Sequence, residues 1–148
     1  MEDLTIRVLK LEDIQQVLEI EAEIMNPENP TIFDIDLEAT AKWLIPSGDS
    51  LCAEKDDTII GFIFGHIRSS EFGLKEKVGW ISSIGVRPDF QGSGAGSKLG
   101  KDLIDQFKKK GVTKVRTMVR WDHGDLVTYF SKTLGFSKGE MIVIERKL

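Results

Sequence analysis

Apolar residues recur in two rhythms along this chain, and the rhythm predicts which segments form strands and which form helices. Strands are predicted, from short apolar or alternating runs bounded by turn residues, over 4–9, 50–55, 58–69, 78–86, 114–119 and 141–147. Helices are predicted, from apolar residues three or four positions apart, over 12–25, 36–44, 94–110 and 125–134. This order of elements predicts an α/β or α+β fold, with helices on both faces of one mixed central sheet.

Turn and capping residues define the limits of several of these elements. Asp56 and Asp57 lie between two predicted strands and make them a hairpin. Asp34 or Asp36 is the expected N-cap of the second helix. Three lysines, 108–110, close the third helix, where the helix dipole favours positive charge.

The composition restricts the class of protein. The chain has 148 residues, a length typical of one domain, so a single domain over 1–148 is predicted. Twenty basic and 24 acidic residues give a net charge of −4, which argues against nucleic acid as a partner. No apolar run approaches the roughly 20 residues of a membrane-spanning helix, and the N-terminal segment lacks the apolar core of a signal peptide. We therefore expect a cytoplasmic protein with no membrane partner.

Cysteine and histidine are scarce, which limits the available chemistry. Cys52 is the only cysteine, so no intramolecular disulfide can form, and we expect it to be a buried strand residue. With two histidines, His66 and His123, a His/Cys metal site is not predicted. His66 lies within a predicted strand, where we expect its ring to be hydrogen-bonded.

The segment 80–98 carries the strongest functional pattern. An apolar strand runs into a proline and a glutamine, then into alternating glycines at Gly92, Gly94 and Gly96, and a long helix follows at once. Glycine lacks Cβ, so the backbone can approach a ligand and adopt positive φ. Amides at a helix N-terminus, aided by the helix dipole, form an anion site suited to phosphate. The pattern therefore predicts a phosphate-binding loop.

Two common phosphate motifs do not fit this loop. The nucleoside triphosphate motif G-x-x-x-x-G-K-[ST] would need glycine at Ala95 and serine or threonine at Asp102. The dinucleotide motif G-x-G-x-x-G would need its third glycine at Ser97 or Leu99, and the acidic ribose partner about 20 residues further on is missing. The loop therefore serves another class of phosphate ligand.

At these residues the sequence resembles the GNAT family of N-acetyltransferases. The family signature [RQ]-x-x-G-x-[GA], which follows a strand ending in Val-x-Pro, is matched by 91–96 after Val86-Arg87-Pro88. A second match, Phe130 followed by Leu134-Gly135-Phe136, looks like the end of the family's last helix. Within the family, the pattern is most similar to ribosomal-protein N-terminal acetyltransferases.

What the resemblance implies is binding of acetyl-CoA as cosubstrate, in a cleft where the central strands splay apart. In the family, the pantetheine arm pairs with the strand before the loop, and the loop amides hold the pyrophosphate. The cofactor-binding residues implied in this way are Ile84, Gly85, Val86, Gln91, Gly92, Ser93, Gly94, Ala95, Gly96, Ser97, Phe130 and Ser131. No metal is implied.

The acid and base positions to which the resemblance points hold other residues here. The position of the usual tyrosine acid is Ser131, and Tyr129 lies two residues earlier, on a different helix face. The usual glutamate bases correspond to Met118 or to Ser82 and Ser83. Weak acid and base groups suit an acceptor amine of low pKa, such as an α-amine near 8 rather than a lysine amine near 10.4.

Three residues are the candidate catalytic groups, each with a structural alternative. Glu21 falls on the apolar stripe of the first helix and is either an acceptor-site carboxylate or a surface residue. His123 follows the strand predicted at 114–119 and is either a base or a solvated loop residue. Tyr129 either packs in the core or takes part in catalysis.

Two functions remain open on the sequence alone. The first is an acetyl-CoA-dependent N-acetyltransferase in which a primary amine attacks the thioester directly. Its acceptor would be a small molecule or a protein N-terminus. The alternative is a CoA-binding domain that senses or regulates without transferring acetyl groups. In either case the chain is expected to be a monomer or a homodimer.

Overall fold

A computed structural model describes residues 3–24, 36–120 and 122–148 of the chain. The chain forms two compact units, Met1–Met118 and Val119–Leu148. Within these described residues, the first unit contains a five-stranded sheet and three α-helices, and the second contains one short α-helix followed by a π-helical turn. The single domain expected over 1–148 stays a prediction.

The sheet is the scaffold of the first unit. Its strands are β1 (Thr5–Val8), β2 (Leu51–Lys55), β3 (Thr58–Ser69), β4 (Lys77–Val86) and β5 (Lys114–Thr117), and they stand in that order across the sheet. Neighbouring strands are antiparallel except β4 and β5, which are parallel. The sheet is therefore mixed, which confirms the predicted fold class. Asp56 and Asp57 form the predicted turn between β2 and β3, both at positive φ.

β4 is paired on both sides for only part of its length. Its pairing with β5 runs from Val78 to Ile81, whereas its pairing with β3 continues to Val86. One backbone edge of 82–86 therefore has no strand partner among the described residues. The pairing of the two parallel strands ends at Ile81, before the stretch of β4 where the resemblance implies that the central strands splay apart.

Helices α1 (Ile14–Ile24) and α2 (Leu37–Leu44) cover one face of the sheet. The helix α2 begins at the predicted cap, since Asp36 Oδ1 accepts a hydrogen bond from Ala39 N at 3.0 Å. Burying a large apolar side chain contributes about 1.5–3 kcal/mol, so this face is a main source of stability. The residues packed together here include Val17, Ile20, Leu37, Ala41, Leu44, Phe62 and Phe64.

The helix α3 (Ala95–Lys109) packs on the opposite face of the sheet. Its apolar stripe, Leu99, Leu103 and Phe107, is fully buried, as the spacing predicts. Two strand glycines make room for this helix. A Cβ at Gly79 would lie 2.6 Å from the Phe107 ring, and a Cβ at Gly65 would lie 3.0 Å from it. Because of this close approach, α3 lies directly on the strands that lead to the glycine-rich loop.

The second unit differs from its predicted single helix over 125–134. An α-helical turn, α4 (Gly124–Thr128), passes into a π-helical turn, Tyr129–Thr133. Leu134 N donates to Tyr129 O at 3.1 Å, the five-residue spacing of a π turn. The wider turn changes the angular spacing of the side chains that follow Thr128.

The strand predicted over 141–147 is not formed, so this prediction was wrong. Residues 141–148 have no regular secondary structure, and Ile142, Val143 and Ile144 are 72%, 71% and 86% exposed. An apolar β-branched run indicates strand propensity, but a strand also needs a neighbouring backbone with which to pair. No described residue pairs with this segment.

The other predicted elements of the first unit are present, with described ends shifted by one or two residues. The predicted end of the first helix at Met25 and the alternative cap Asp34 lie outside the described residues.

Candidate active site

The glycine-rich segment is a tight connection between the end of β4 and the start of α3. After Val86 the chain passes through a 3₁₀ turn, Pro88–Phe90, and reaches Gly92 at φ +81° and Gly94 at φ +93°. Residues with a side chain rarely adopt such φ values. The space that a Cβ would take at either glycine is open. Backbone conformation therefore requires these two glycines, and they leave the outer surface of the loop bare.

The N-terminus of α3 has the features of an anion site. Gly94 is its N-cap and makes no side-chain capping bond, and the first turn contains no acidic residue. The backbone ladder begins where Lys98 N donates to Gly94 O at 3.0 Å. The amides before it belong to the first turn, where an α-helix offers no carbonyl partner of its own. With the helix dipole, such a terminus favours a phosphate group.

Two of the predicted cofactor residues use their side chains to brace the loop. Gln91 Nε2 donates to the Val86 carbonyl at 3.1 Å, and Ser93 Oγ donates to the Phe90 carbonyl. These bonds hold the loop against the end of β4. The backbone amides of the same two residues also donate within the loop, to the Pro88 and Phe90 carbonyls at 3.3 Å, so Gln91 and Ser93 serve mainly to shape the loop.

Gly85 is required by packing as well as by the motif. A Cβ there would lie 2.7 Å from the Phe62 ring and 3.1 Å from Ile24 Cδ1, so a side chain would push α1 away from β4. Its neighbours Ile84 and Val86 are half-buried. All three lie in the stretch of β4 that has one unpaired edge.

A β-bulge lies in the same stretch of β4. Phe64 faces Ser83 and the next residue of β3, Gly65, faces Ile81, so Ser82 is the extra residue. A bulge re-aims a side chain and interrupts pairing, and bulges are common beside active sites. Here it directs Ser82 toward β3, where Ser82 Oγ lies 3.3 Å from Nδ1 of His66.

The cluster around His66 was not predicted as a site. The ring centroid of Trp43, on α2, lies 5.7 Å from that of the imidazole, whose Nδ1 also contacts Ser82 Oγ. Burial lowers the pKa of His66 below its ordinary value, and Arg68 adds to the effect. The one sequence signal for this cluster was His66, a polar residue in the middle of an apolar strand. The bulge that brings Ser82 to His66 cannot be inferred from the spacing of apolar residues in the sequence.

Glu21 is half-buried on α1, as its place on the apolar stripe predicts. Burial raises the pKa of its carboxyl above the ordinary value. A carboxyl with a raised pKa can exchange protons closer to neutral pH, which suits a base. Its role at an acceptor site stays a prediction.

Cys52 is fully buried in β2, as predicted. Burial is the main cause that raises the pKa of its thiol to about 11. A thiol is nucleophilic as its thiolate, and little thiolate forms at neutral pH with such a pKa. Cys52 therefore has a packing role, and acyl transfer through this residue is disfavoured.

His123 and Ser131 make local backbone contacts in the second unit. His123 is the N-cap of α4, and its Nδ1 accepts a hydrogen bond from Leu126 N at 3.4 Å. Ser131 Oγ donates to the Val127 carbonyl at 2.7 Å. Their predicted catalytic and cofactor roles stay predictions.

Tyr129 and Phe130 form an aromatic group at the π-helical turn. Phe130 is buried, with its ring centroid 5.1 Å from that of Tyr129 and 5.3 Å from that of Phe136. Burial raises the pKa of the Tyr129 phenol above its ordinary value. The phenol therefore keeps its proton at neutral pH and can donate a hydrogen bond.

No cluster of three or more His, Cys, Asp or Glu side chains able to hold a metal ion occurs in residues 3–24, 36–120 and 122–148. Within the same described ranges, every helix is too short or too polar to span a bilayer.

The sequence of this chain matches a known protein family and several characterised proteins. Residues 14–136 match the sequence model of the acetyltransferase (GNAT) family. Over 97 residues the chain is 29% identical to a mycothiol acetyltransferase of Renibacterium salmoninarum, a match that covers 66% of this chain and 28% of that protein. The chain thus corresponds to less than a third of this relative's length.

Solved structures share the fold at low sequence identity. An aminoglycoside N-acetyltransferase in complex with CoA superposes with a TM-score of 0.74 at 19% identity, covering 97% of this chain and 94% of that one. A ribosomal-protein-alanine N-acetyltransferase from Brucella melitensis biovar Abortus has a TM-score of 0.72 at 17% identity, covering 97% and 99%. The family match spans most of the chain and includes both predicted motifs, so the chain belongs to the acetyltransferase (GNAT) family.

Proposed function

We propose that this chain transfers the acetyl group of acetyl-CoA directly to a primary amine, on a small molecule or on a protein N-terminus. The observation that carries the proposal is the juxtaposition of two features on β4 and α3. A bare glycine loop opens α3, and the strand that leads into it has an unpaired backbone edge over 82–86.

These two features suit the two parts of CoA. The pyrophosphate needs amide donors and a positive potential, which the first turn of α3 supplies at Ala95 and Ser97. The pantetheine arm contains two amides, and the free edge of β4 at Ile84 to Val86 offers backbone groups for them. The cofactor-binding roles of Phe130 and Ser131 stay predictions that rest on the family motif.

The acceptor is proposed to be an amine of low pKa. Two proteins of similar structure support an amine acceptor. One is named an aminoglycoside N-acetyltransferase, and the other is named a ribosomal-protein-alanine N-acetyltransferase. The usual glutamate positions hold Met118, Ser82 and Ser83, so the chain has weak equipment for deprotonating a lysine. Deprotonation at pH 7 costs about 4–5 kcal/mol for an amine of pKa 10.4 and about 1 kcal/mol for an α-amine near 8.

Tyr129, Glu21 and His123 are the proposed catalytic residues. Tyr129 suits the role of hydrogen-bond donor to the departing thiolate, because burial keeps its phenol protonated. Glu21 suits a proton acceptor, because burial raises the pKa of its carboxyl. Nδ1 of His123 accepts a hydrogen bond from Leu126 N, so Nε2 carries the hydrogen of the neutral ring, and His123 would act as a base only if this capping bond broke.

Two assays with the purified chain test the proposal. Free CoA release is measured with acetyl-CoA and a panel of α-amines, amino sugars and lysine peptides, and thermal unfolding is measured with and without acetyl-CoA. A ligand at 100 times its dissociation constant stabilises by about 2.7 kcal/mol, which is a readily measured shift. Amine-dependent CoA release supports acetyl transfer. Stabilisation without release on any amine would instead support a CoA-binding sensor or regulatory domain.

A further inference from the structure

A cluster of His66, Ser82 and Trp43 lies beside the bulge of β4, on the sheet face that α1 and α2 cover. His66 follows Phe62 and Phe64 along β3, and both of these pack against those helices. Ser82 and Trp43 are exposed, whereas His66 is half-buried between them. The cluster therefore presents a hydroxyl and an indole to solvent, with an imidazole behind them.

This inference rests on the proposed function, which would place the thioester of bound acetyl-CoA near Ser82. The unpaired edge of β4 runs from the glycine loop at Val86 back to Ser82. A pantetheine arm bound along that edge would bring its thioester end toward the bulge. Ser82 is the extra residue of the bulge, and its hydroxyl is aimed at His66.

The charged groups that face His66 leave it neutral at neutral pH. Among the described residues these groups are Arg68, Glu71 and Asp49. Both carboxylates have cations of their own, since Glu71 pairs with Arg68 at 3.1 Å and Asp49 pairs with Lys110. Burial is the largest influence, and it lowers the pKa of His66. The neutral ring has a lone pair with which to accept a proton.

We propose that Ser82 and His66 form the proton relay that activates the acceptor amine. The acceptor ammonium gives a proton to Ser82 Oγ while the hydroxyl proton of Ser82 passes to Nδ1 of His66, which becomes imidazolium. The free amine attacks the thioester carbonyl, so that the new C–N bond forms and the C–S bond breaks. The attacking nitrogen gives its next proton to the departing thiolate, and the imidazolium returns the first proton to solvent.

The relay also defines the class of acceptor. A histidine of lowered pKa is a weak base, so it matches an α-amine of pKa near 8 better than a lysine amine near 10.4. The Trp43 indole is 65% exposed beside the imidazole, and an aromatic face attracts an ammonium group. The expected acceptor is therefore an α-amine or another amine of similarly low pKa, with its ammonium against Trp43.

The test compares His66→Gln with the unmodified chain, using the best amine of the panel and hydroxylamine. Gln keeps a hydrogen-bonding group near Ser82 but cannot take up a proton. We expect kcat/KM for the amine to fall by about 10²–10⁴-fold, the usual effect of a lost general base. Hydroxylamine is already deprotonated at the assay pH and should lose far less. The fall of kcat/KM as pH drops through the pKa of His66, which lies below its ordinary value, should disappear in the variant, while the affinity for acetyl-CoA stays unchanged.

Ser82→Ala and His123→Gln complete the design. Ser82 is exposed, so its truncation spares the fold, and we expect a loss similar to that of His66→Gln with no further loss in the double variant. Equal losses for the amine and hydroxylamine, unchanged turnover in Ser82→Ala, or a loss confined to His123→Gln would each overturn the relay. If the unmodified chain acetylates no amine, the proposed function fails and the relay with it. If His66→Gln acetylates the amine with the kcat/KM of the unmodified chain, the relay alone fails.

Discussion

At the scale of single residues, Ser97 gives a direct test of the anion site. It is the third residue of α3, where an aspartate favours the helix through the dipole but repels a bound pyrophosphate. Ser97→Asp should leave stability unchanged or raised by about 0.5 kcal/mol. Repulsion of about 1–4 kcal/mol at about 4 Å should lower the affinity for acetyl-CoA by roughly 5- to 1000-fold. Isothermal titration calorimetry measures the affinity.

The neutral variant Ser97→Asn is the matched control, since it changes the same position without adding charge. Its affinity should stay close to that of the unmodified chain. Equal affinities in the Asp and Asn variants would contradict the phosphate assignment. Gly94 is a poorer choice, because any side chain at φ +93° strains the backbone itself.

Tyr129→Phe tests whether the phenol transfers a proton or only donates a hydrogen bond. A phenol already holds its proton more tightly than a thiol near 8.5, and burial raises its pKa further. Full transfer to the thiolate is therefore uphill, and we expect turnover to fall by less than about tenfold, with about 1 kcal/mol lost from stability. A loss above about 10²-fold in turnover, with affinity and melting temperature unchanged, would identify Tyr129 as the acid.

Residue-level predictions succeeded where a local rule was sufficient. Gly92 and Gly94 stand at positive φ because the loop needs them, and Asp36 caps α2 because its side chain reaches an amide three residues on. The pairing of His66 with Ser82 could not be found in this way. It depends on a bulge between two strands, and one extra residue in a strand changes which side chain faces the neighbour.

At the scale of elements, an ion network joins β1, β2 and the entry to α1. Arg7 donates to both carboxylate oxygens of Asp13, at 2.8 and 3.0 Å, and also to Glu54. Asp13 is buried and further accepts from the Lys10 amide at 2.8 Å. Asp13→Asn should lower the free energy of unfolding by about 2–3 kcal/mol. The control is Asp105, which forms an exposed ion pair with Lys108. Asp105→Asn should lower the free energy of unfolding by less than about 0.5 kcal/mol.

The effect of Asp13 should depend on pH. Arg7 holds the pKa of the Asp13 carboxyl below its usual range, so the native state binds fewer protons than the unfolded state. The stabilisation is complete above the unfolded pKa near 3.9 and is lost as pH falls through that value toward the native one. Urea unfolding at pH 7 and at about pH 3 should show a smaller difference between the two chains in acid. A constant difference would contradict this account.

Element prediction was good wherever one face of a segment is buried within the chain. The stripe of α3 and the continuous apolar run of β3 reflect the core on which they pack. The segment 141–147 has the same composition as a core strand, but its side chains are exposed in the structure. Apolar periodicity predicts which residues a strand would bury, and it contains no information about which strand lies beside it.

At the scale of the whole molecule, fold and family are much better determined than the acceptor. The glycine loop is encoded by residues 91–96, which lie close together in sequence, and the family match covers 14–136. Acceptor specificity in such a fold depends on side chains from separate elements, and those of residues 25–35 are not described. The groups that set the acceptor class here, on our account, are Trp43, His66 and Ser82.

The most direct test of the central claim is mass spectrometry of an α-amine acceptor after incubation with acetyl-CoA and the purified chain. The account predicts a gain of one acetyl group on the amine nitrogen and release of an equal amount of free CoA. The reaction should be abolished or strongly slowed in Ser97→Asp and retained in Ser97→Asn. Binding of acetyl-CoA without any acetylated product, across the whole panel of amines, would contradict the account.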